Sequence, residues 1–373
     1  MNRFPLVLAV ATAALSNIAV HADTLPVWFG TGSSASKGIY HATLSTKNGK
    51  LSKPTVAAEI KSPGFLDAHP DGSMVYAVCR LPEGESGVAA YAIDGDSLTF
   101  LNGEPIGDGG GAHVGVHPSG KFLMTAQYGG NSVAVFPLAG DGKVEARSQL
   151  IEHEGGSGVV GKRQDKPHPH YCGYDPAGNF AFVPDLGMDG IVIYKVNDDK
   201  SGVTRHGFAK VPAGGGPRHM KFSPDAKFAY VLNELALSVS VFAYDTAQGN
   251  LTLLQTIPTL SEKTKAEEVF NSASEVRLHP SGKFLYTANR GHDSITAFSI
   301  DPSNGKLSLI EVESIRGAWP RNFNLDPSGQ WLLAAGAQSN TISVFAIDPE
   351  SGELTFQRGN IINVPGAICV LFP

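Results

Sequence analysis

Cysteine is scarce, with three in 373 residues. Cys79, Cys172 and Cys369 each fall inside an apolar run of strand character, so buried free thiols are expected rather than a disulfide framework. Charge is thin as well. Lys, Arg, Asp and Glu make up 17% of the chain, the formal net charge is -6, and no Lys/Arg cluster stands out. Nucleic acid and anionic membrane surfaces therefore have no electrostatic partner here. Beyond the N-terminus no stretch approaches the ~18 uninterrupted apolar residues of a membrane span, and none is expected. HExxH, GxSxG and the EF-hand pattern are missing, which removes the zincin, nucleophile-elbow and calcium-loop readings. Gly107–Gly111 (GDGGG) is rich in glycine, but a strand and not a helix follows it, so it lacks the helix terminus that would hold a pyrophosphate.

What the chain does have is glycine, 43 residues, and proline, 24, on a 42% hydrophobic background. That composition is dense in turn formers and apolar enough to bury a large core, which excludes disorder and coiled coil. Residues 1–22 read as a secretory signal peptide: Arg3, an apolar run from Phe4 to Leu15, then Val20-His21-Ala22 before the cut. Export to the periplasm is the expectation, with 23–373 as the mature chain.

One motif recurs along it, a short strand, a turn built on x-Pro-[Ser/Asp/Ala]-[Gly/Ala], and a second strand. The copies are HPDGSMVYAV at 69–78, HPSGKFLMTA at 117–126, DPAGNFAFVP at 175–184, SPDAKFAYVL at 223–232, HPSGKFLYTA at 279–288 and DPSGQWLLAA at 326–335. Proline presets the first turn dihedral and the following residues tolerate the rest, so each copy is a hairpin. A further strand of the type SVSVFAY (238–244) follows, and it occurs seven times. The chain's end supplies the missing hairpin half: GAICVLFP (366–373) matches the strand before each turn, and VWFGTG (27–32) is the strand that comes next. The fold class is all-β, a seven-bladed β-propeller closed by N- and C-terminal strands in one blade, forming a single domain over 23–373 with roughly 50 residues per blade. His69, His117 and His279 precede turn prolines and read as turn residues. His41, His153 and His206 have no repeat context and read as solvated.

Two intervals between turn prolines are long, which places insertions at 152–169 and 259–273, both before the first strand of a blade. Long loops in compact domains are usually functional. The start of each first strand and the end of each second strand open on the same mouth, and polar residues gather there. His170, Arg218, Glu234 and Arg277 pair a candidate base with cationic groups and are the candidate reacting set. His113, Gln127, Asp185, His219, Glu275, Asn289 and Arg321 are candidate substrate contacts. Bland readings stand beside these: Arg277 as an interblade ion pair with Glu275 or Glu234, Asp185 as the cap of its own turn, any single polar residue as a satisfied strand end. His168-Pro169-His170 is awkward as a shared metal site because strand neighbours point to opposite faces, so neither a metal nor another cofactor is expected.

At these residues the sequence resembles the lactonase family of seven-bladed propellers, which includes bacterial 6-phosphogluconolactonase and the fungal carboxymuconate-lactonizing enzyme. The resemblance is strongest in PHPHYCGYDP (167–176), GPRHMKFSPD (216–225) with LNE (232–234), SEVRLHPSGKFLYTANR (274–290) and PRNFNLDPSGQWLLAAGAQSNTISVF (320–345). It implies metal-free catalysis by a His, an Arg, a Glu and a further Arg, which fall on His170, Arg218, Glu234 and Arg277. A leader sequence sits badly with a phosphorylated cytoplasmic substrate, so the expectation is a periplasmic sugar lactonase acting on a small-molecule lactone, glucono-1,5-lactone being favoured. Glu234 or His170 would activate water, and Arg218 and Arg277 would hold the oxyanion. Arg218→Ala is expected to remove most activity while leaving stability within about 1 kcal/mol, as for a cleft residue. Two rivals are a muconate-type cycloisomerase and a non-catalytic ligand-binding propeller.

Overall fold

A computed structural model describes residues 23–373; the candidate leader, 1–22, lies outside the described residues. Seven four-stranded antiparallel sheets follow one another around a central channel. The innermost strands, in blade order, are Leu66–Ala68, Gly111–Val116, Gly173–Tyr174, Pro217–Phe222, Ser272–Leu278, Pro320–Leu325 and Ala367–Leu371. The last belongs to the seventh blade, where it pairs with Thr24–Thr31, followed outward by Gly38–Ser45 and Thr55–Glu59. The two ends of the described chain thus share one sheet, as the repeat count requires.

The core is divided among the blade interfaces. Seven buried apolar clusters lie one to each pair of adjacent blades, for example Phe182, Ile191, Met220, Val231 and Phe242 between the third and fourth. At the closing interface Trp28, Cys369 and Leu371 pack with Leu66, Val75 and Tyr91. Alternation along each strand sends one set of side chains to the neighbour on each side, so both faces of most second and third strands are apolar.

The turn histidines hold the ring at the mouth where the hairpins turn. His117 Nδ1 bonds the Ser119 hydroxyl within its own turn, and its Nε2–H donates to the Gly178 carbonyl of the next blade's turn at 2.9 Å. His279 does the same with Gly329 at 2.9 Å, and His69 reaches Gly120 at 3.3 Å. Gly120 has φ +68°, and an added Cβ there would sit 2.3 Å from the His69 ring nitrogen, so glycine is required both by dihedral and by space.

All three cysteines are free and buried. Two of the three supposedly solvated histidines are not solvated. His41 is buried against Trp28, ring centroids 4.5 Å apart. His153 is fully buried between Asp185 and Tyr194, each 2.7 Å from a ring nitrogen. Their burial comes from packing between blades, which a hairpin repeat does not encode. Only His206 is exposed.

Removing 367–373 should cost the seventh blade its inner strand and uncover Leu66 and Val75. Burial of Val370, Leu371 and Cys369 contributes about 5 kcal/mol or more, comparable with the whole stability of a typical domain. Loss of a cooperative thermal transition, followed by circular dichroism, is the expected outcome.

Candidate active site

Five inner strands carry one extra residue at the same place relative to the second strand: between Gly111 and His113, Pro217 and His219, Ala273 and Val276, Pro320 and Asn322, and Ala367 and Cys369. Each is a β-bulge, which breaks side-chain alternation and re-aims a residue. Arg218 and Arg321 occupy two of these bulges and both line a cavity of about 390 Å³ at the mouth. His170 reaches the same cavity from the third blade, where its N–H donates to the Pro184 carbonyl at 3.1 Å. The two insertions close the sides: Arg163 comes from a single 3-10 turn, Gly161–Arg163, and Phe270 follows a short helix, Glu262–Glu267.

Glu234 is the centre of the site. It is buried, fixed by its own N–H to Gly216 O at 2.7 Å, and collects three guanidiniums. Arg218 Nη1 donates to Oε2 at 2.7 Å, while Arg163 Nη2 and Arg290 Nη2 reach Oε1 at 2.6 and 3.1 Å. Burial alone would raise this carboxyl, but Arg218, Arg290 and Arg163 outweigh it and bring it down to about 2. Arg218 is further tied by Nε to the Ser274 carbonyl at 2.6 Å and by Nη1 to His170 Nε2. Burial, together with the charges of Arg218, His219 and Arg321, pushes His170 well below the ordinary imidazole range, so the ring is neutral. Its Nδ1 has no hydrogen-bond partner.

Arg321 differs from the other three. Among the described residues no carboxylate or carbonyl bonds it, and burial with Arg218 nearby lowers its guanidinium to about 10. Four guanidiniums face one carboxylate in this cavity, an excess of three positive charges at neutral pH. Such a site attracts and orients an anionic or strongly dipolar oxygen ligand. Arg290 also lies over the Trp319 ring, 5.6 Å from its centre, and Phe270 stacks on that ring at 5.3 Å, which gives the cavity one apolar wall.

The remaining candidates separate into layers. Directly beneath the mouth, Glu275 accepts from His219 Nδ1 at 3.0 Å, from the Val276 N–H at 2.9 Å and from the Asn322 amide. The rings of Phe65, His113, Tyr171 and His219 fill the channel beside it, Phe65 and Tyr171 lying 4.1 and 4.3 Å from His113. Arg277 and His113 line a different cavity, on the far side of that layer. Arg277 meets Glu275 at 3.4 Å, an ion pair within one strand and not between blades as its bland reading had it, and does not enter the cavity of His170 and Arg218. Three other candidates are away from the mouth cavity and are engaged locally. Asp185 accepts from the N–H groups of His168, Gly187 and Met188 and from His153, which caps its turn. Asn289 donates to Ser294 and Thr296, and Gln127 accepts from Ser132, so both tie the end of a second strand to the strand after it.

Arg163, Tyr128 and Phe270 line the cavity without having been singled out as site residues. The only sequence signal for Arg163 and Phe270 was the extra length of the two insertions. Among the described residues no three His, Cys, Asp or Glu side chains are grouped to hold a metal, and no helix is long and apolar enough to cross a membrane.

The family described as Lactonase, 7-bladed beta-propeller, matches residues 26–372. A 6-phosphogluconolactonase of Bacillus subtilis is 35% identical over 290 residues, 77% of this chain and 81% of that protein. One from Formosa agariphila is 36% identical over 294 residues, with the same coverage. Among solved structures, the periplasmic gluconolactonase of Pseudomonas aeruginosa superposes with a TM-score of 0.85 at 28% identity, covering 94% of this chain and all of that one. The chain belongs to the lactonase family of seven-bladed β-propellers, and its activity is that of a lactonase, a hydrolase of cyclic esters.

The buried neutral imidazoles set an acid limit on stability. His170 and His113 are held well below 6.5 and His219 is lowered to about 4, in each case chiefly by burial. Below pH 6.5 the unfolded chain binds protons that these rings refuse, so stability is full above about 6.5 and declines as the pH falls. His219 alone would account for about 3 kcal/mol by pH 4. Below 4.5, Glu234 and Glu275, both lowered to about 2, add to the decline. Urea midpoints measured across pH 4 to 8 should therefore be level at the alkaline end and fall from about 6.5 downward.

Proposed function

We propose that the protein is a periplasmic sugar lactonase that opens glucono-1,5-lactone, or a closely related aldonolactone, to the aldonic acid. The observation that carries this reading is a neutral imidazole, His170, set against a carboxylate-anchored Arg218, with a partnerless Arg321 on the wall of the same cavity. The solved periplasmic gluconolactonase supports the substrate and the compartment, and so does the leader-like segment 1–22.

His170 is favoured over Glu234 as the base. Both oxygens of Glu234 are occupied by guanidiniums, and a carboxylate lowered to about 2 is a poor proton acceptor. Its role is to hold Arg218, Arg163 and Arg290 in place. In the reaction Arg218 Nη1 turns from His170 Nε2 towards the lactone carbonyl oxygen, and the freed Nε2 lone pair takes a proton from water as the water oxygen bonds the carbonyl carbon. Negative charge builds on the carbonyl oxygen, and Arg321 and Arg218 stabilise it. The ring C–O bond then breaks, and the proton held by His170 passes to the departing ring oxygen, leaving an open hydroxy acid. Because the imidazole is neutral well below pH 6.5, the acid limb of kcat/KM should lie below 6.5, where a rate profile corrected for spontaneous hydrolysis would place it.

A second reading rests on the excess of positive charge: a lactone with its own anionic group, such as the 6-phosphorylated one that names the Bacillus and Formosa relatives. Hydrolysis of the phosphorylated and unphosphorylated lactones, each measured against background with and without EDTA, separates the two. EDTA-resistant turnover of the unphosphorylated lactone is expected; turnover of the phosphorylated compound alone moves the assignment to the second reading, and turnover of neither removes the sugar-lactone assignment.

The variants need a correction to the expectation for a cleft residue. Arg218 is buried with three partners, so Arg218→Ala should cost about 3 kcal/mol as well as activity. Arg321→Ala is the cleaner test. Having no partner to strand, it should keep the melting temperature close to wild type while lowering kcat/KM about 10²–10³-fold.

A further inference from the structure

We propose that the cavity at the opposite end of the channel is a second ligand site, and that it takes a small polyhydroxy carboxylate. The cavity, about 240 Å³, is lined by Asp67, His113, Tyr171, Lys221, Arg277 and Asn324, with Val370 and Leu371 among its apolar walls. The layer of Phe65, His113, Tyr171 and His219 rings separates it from the mouth that holds His170 and Arg321.

Its charged groups are only partly satisfied. Lys221, mostly buried, has no hydrogen bond or ion pair among the described residues; its nearest recorded contact is the Tyr171 ring, with Nζ 5.4 Å from the centre. A buried ammonium without an acceptor is costly, and burial accordingly lowers Lys221 to about 8. Arg277 spends Nε on the Phe323 carbonyl at 3.2 Å and one Nη2 contact on Glu275 at 3.4 Å, leaving Nη1 free. Two cations with unused donors on one cavity fit a carboxylate.

The acceptors narrow the class further. Asp67 holds one backbone N–H on each oxygen, from Ala68 at 3.0 Å and Val116 at 2.7 Å, and each oxygen keeps a lone pair for a donor such as a hydroxyl. Asp67 and Glu275 together oppose a dianion, which disfavours phosphate. The ligand that uses every feature has one carboxylate for Lys221 and Arg277, hydroxyls for Asp67, and a carbon chain short enough for the volume. This inference does not depend on which lactone the mouth opens.

Calorimetric titration of the full protein with sodium gluconate, and separately with inorganic phosphate, tests it without turnover. Gluconate should bind at a site that survives Arg321→Ala and loses affinity by tenfold or more in Lys221→Met, the loss of one charge-assisted hydrogen bond. Phosphate should bind more weakly. An isotherm unchanged by Lys221→Met overturns the proposal, as does gluconate binding that disappears with Arg321→Ala, since it would then belong to the mouth alone. Phosphate binding tighter than gluconate overturns the ligand class, and binding of neither at millimolar concentration overturns the site. If Lys221→Met fails to melt cooperatively, Lys221→Arg and Asp67→Asn carry the same test, with affinity kept in the first and lowered in the second.

Discussion

A sheet that is apolar on both faces is stable only between two neighbours, and a row of such sheets has unprotected ends until it closes. Everything in this molecule depends on that closure, made where Ala367–Leu371 pairs with Thr24–Thr31. Once the ring is shut, seven inner strands are forced to surround one channel with their starts at the same mouth. Residues from the third, fourth, fifth and sixth blades, some of them more than a hundred positions apart in sequence, then line one cavity. The geometry of the mouth cavity is a by-product of a packing requirement.

Within the channel, buried charge is organised in two tiers around Glu234 and Glu275. Neither carboxylate is isolated: Glu234 fixes three guanidiniums that would repel one another without it, and below it Glu275 holds Arg277 and the neutral His219 ring. Removing Glu234 would leave cations facing each other in a poorly hydrated space, so both acids act first as scaffolding. That arrangement also sets two unlike groups side by side, a carboxylate saturated by arginines and a neutral imidazole.

The fold was legible because its signals are local. Proline and glycine fix each hairpin turn, and a half-motif at each end of the chain can belong only to a shared blade. The mouth was legible in part for the same reason: His170, Arg218 and Arg321 stand at one repeat position, six residues before a turn proline. Depth along the strand was harder. Arg277 stands three residues beyond the equivalent Ser274, roughly 10 Å at the rise of a strand, and that distance carries it through the aromatic layer to another cavity. A different sign was available for Gln127, Asn233 and Asn289. Each is followed five residues later by a serine that it bonds, so the repetition itself marked them as strand ties. Arg163 gave no comparable sign, since its loop has no counterpart in the other blades.

The residue ahead of each turn proline varies between His, Asp and Ser, and at the turns the choice divides labour. Histidine clasps the next blade at the first, second and fifth positions. Asp175, Ser223 and Asp326 instead bond back into their own turns, to the N–H groups of Phe180, Phe228 and Trp331. The third, fourth and sixth blades, which supply His170, Arg218, Glu234 and Arg321, therefore lack this histidine clasp to their successors. Loss of a turn histidine would open a hydrogen bond between two blades, whereas loss of Asp175, Ser223 or Asp326 would loosen one hairpin and leave the seam beside it unchanged.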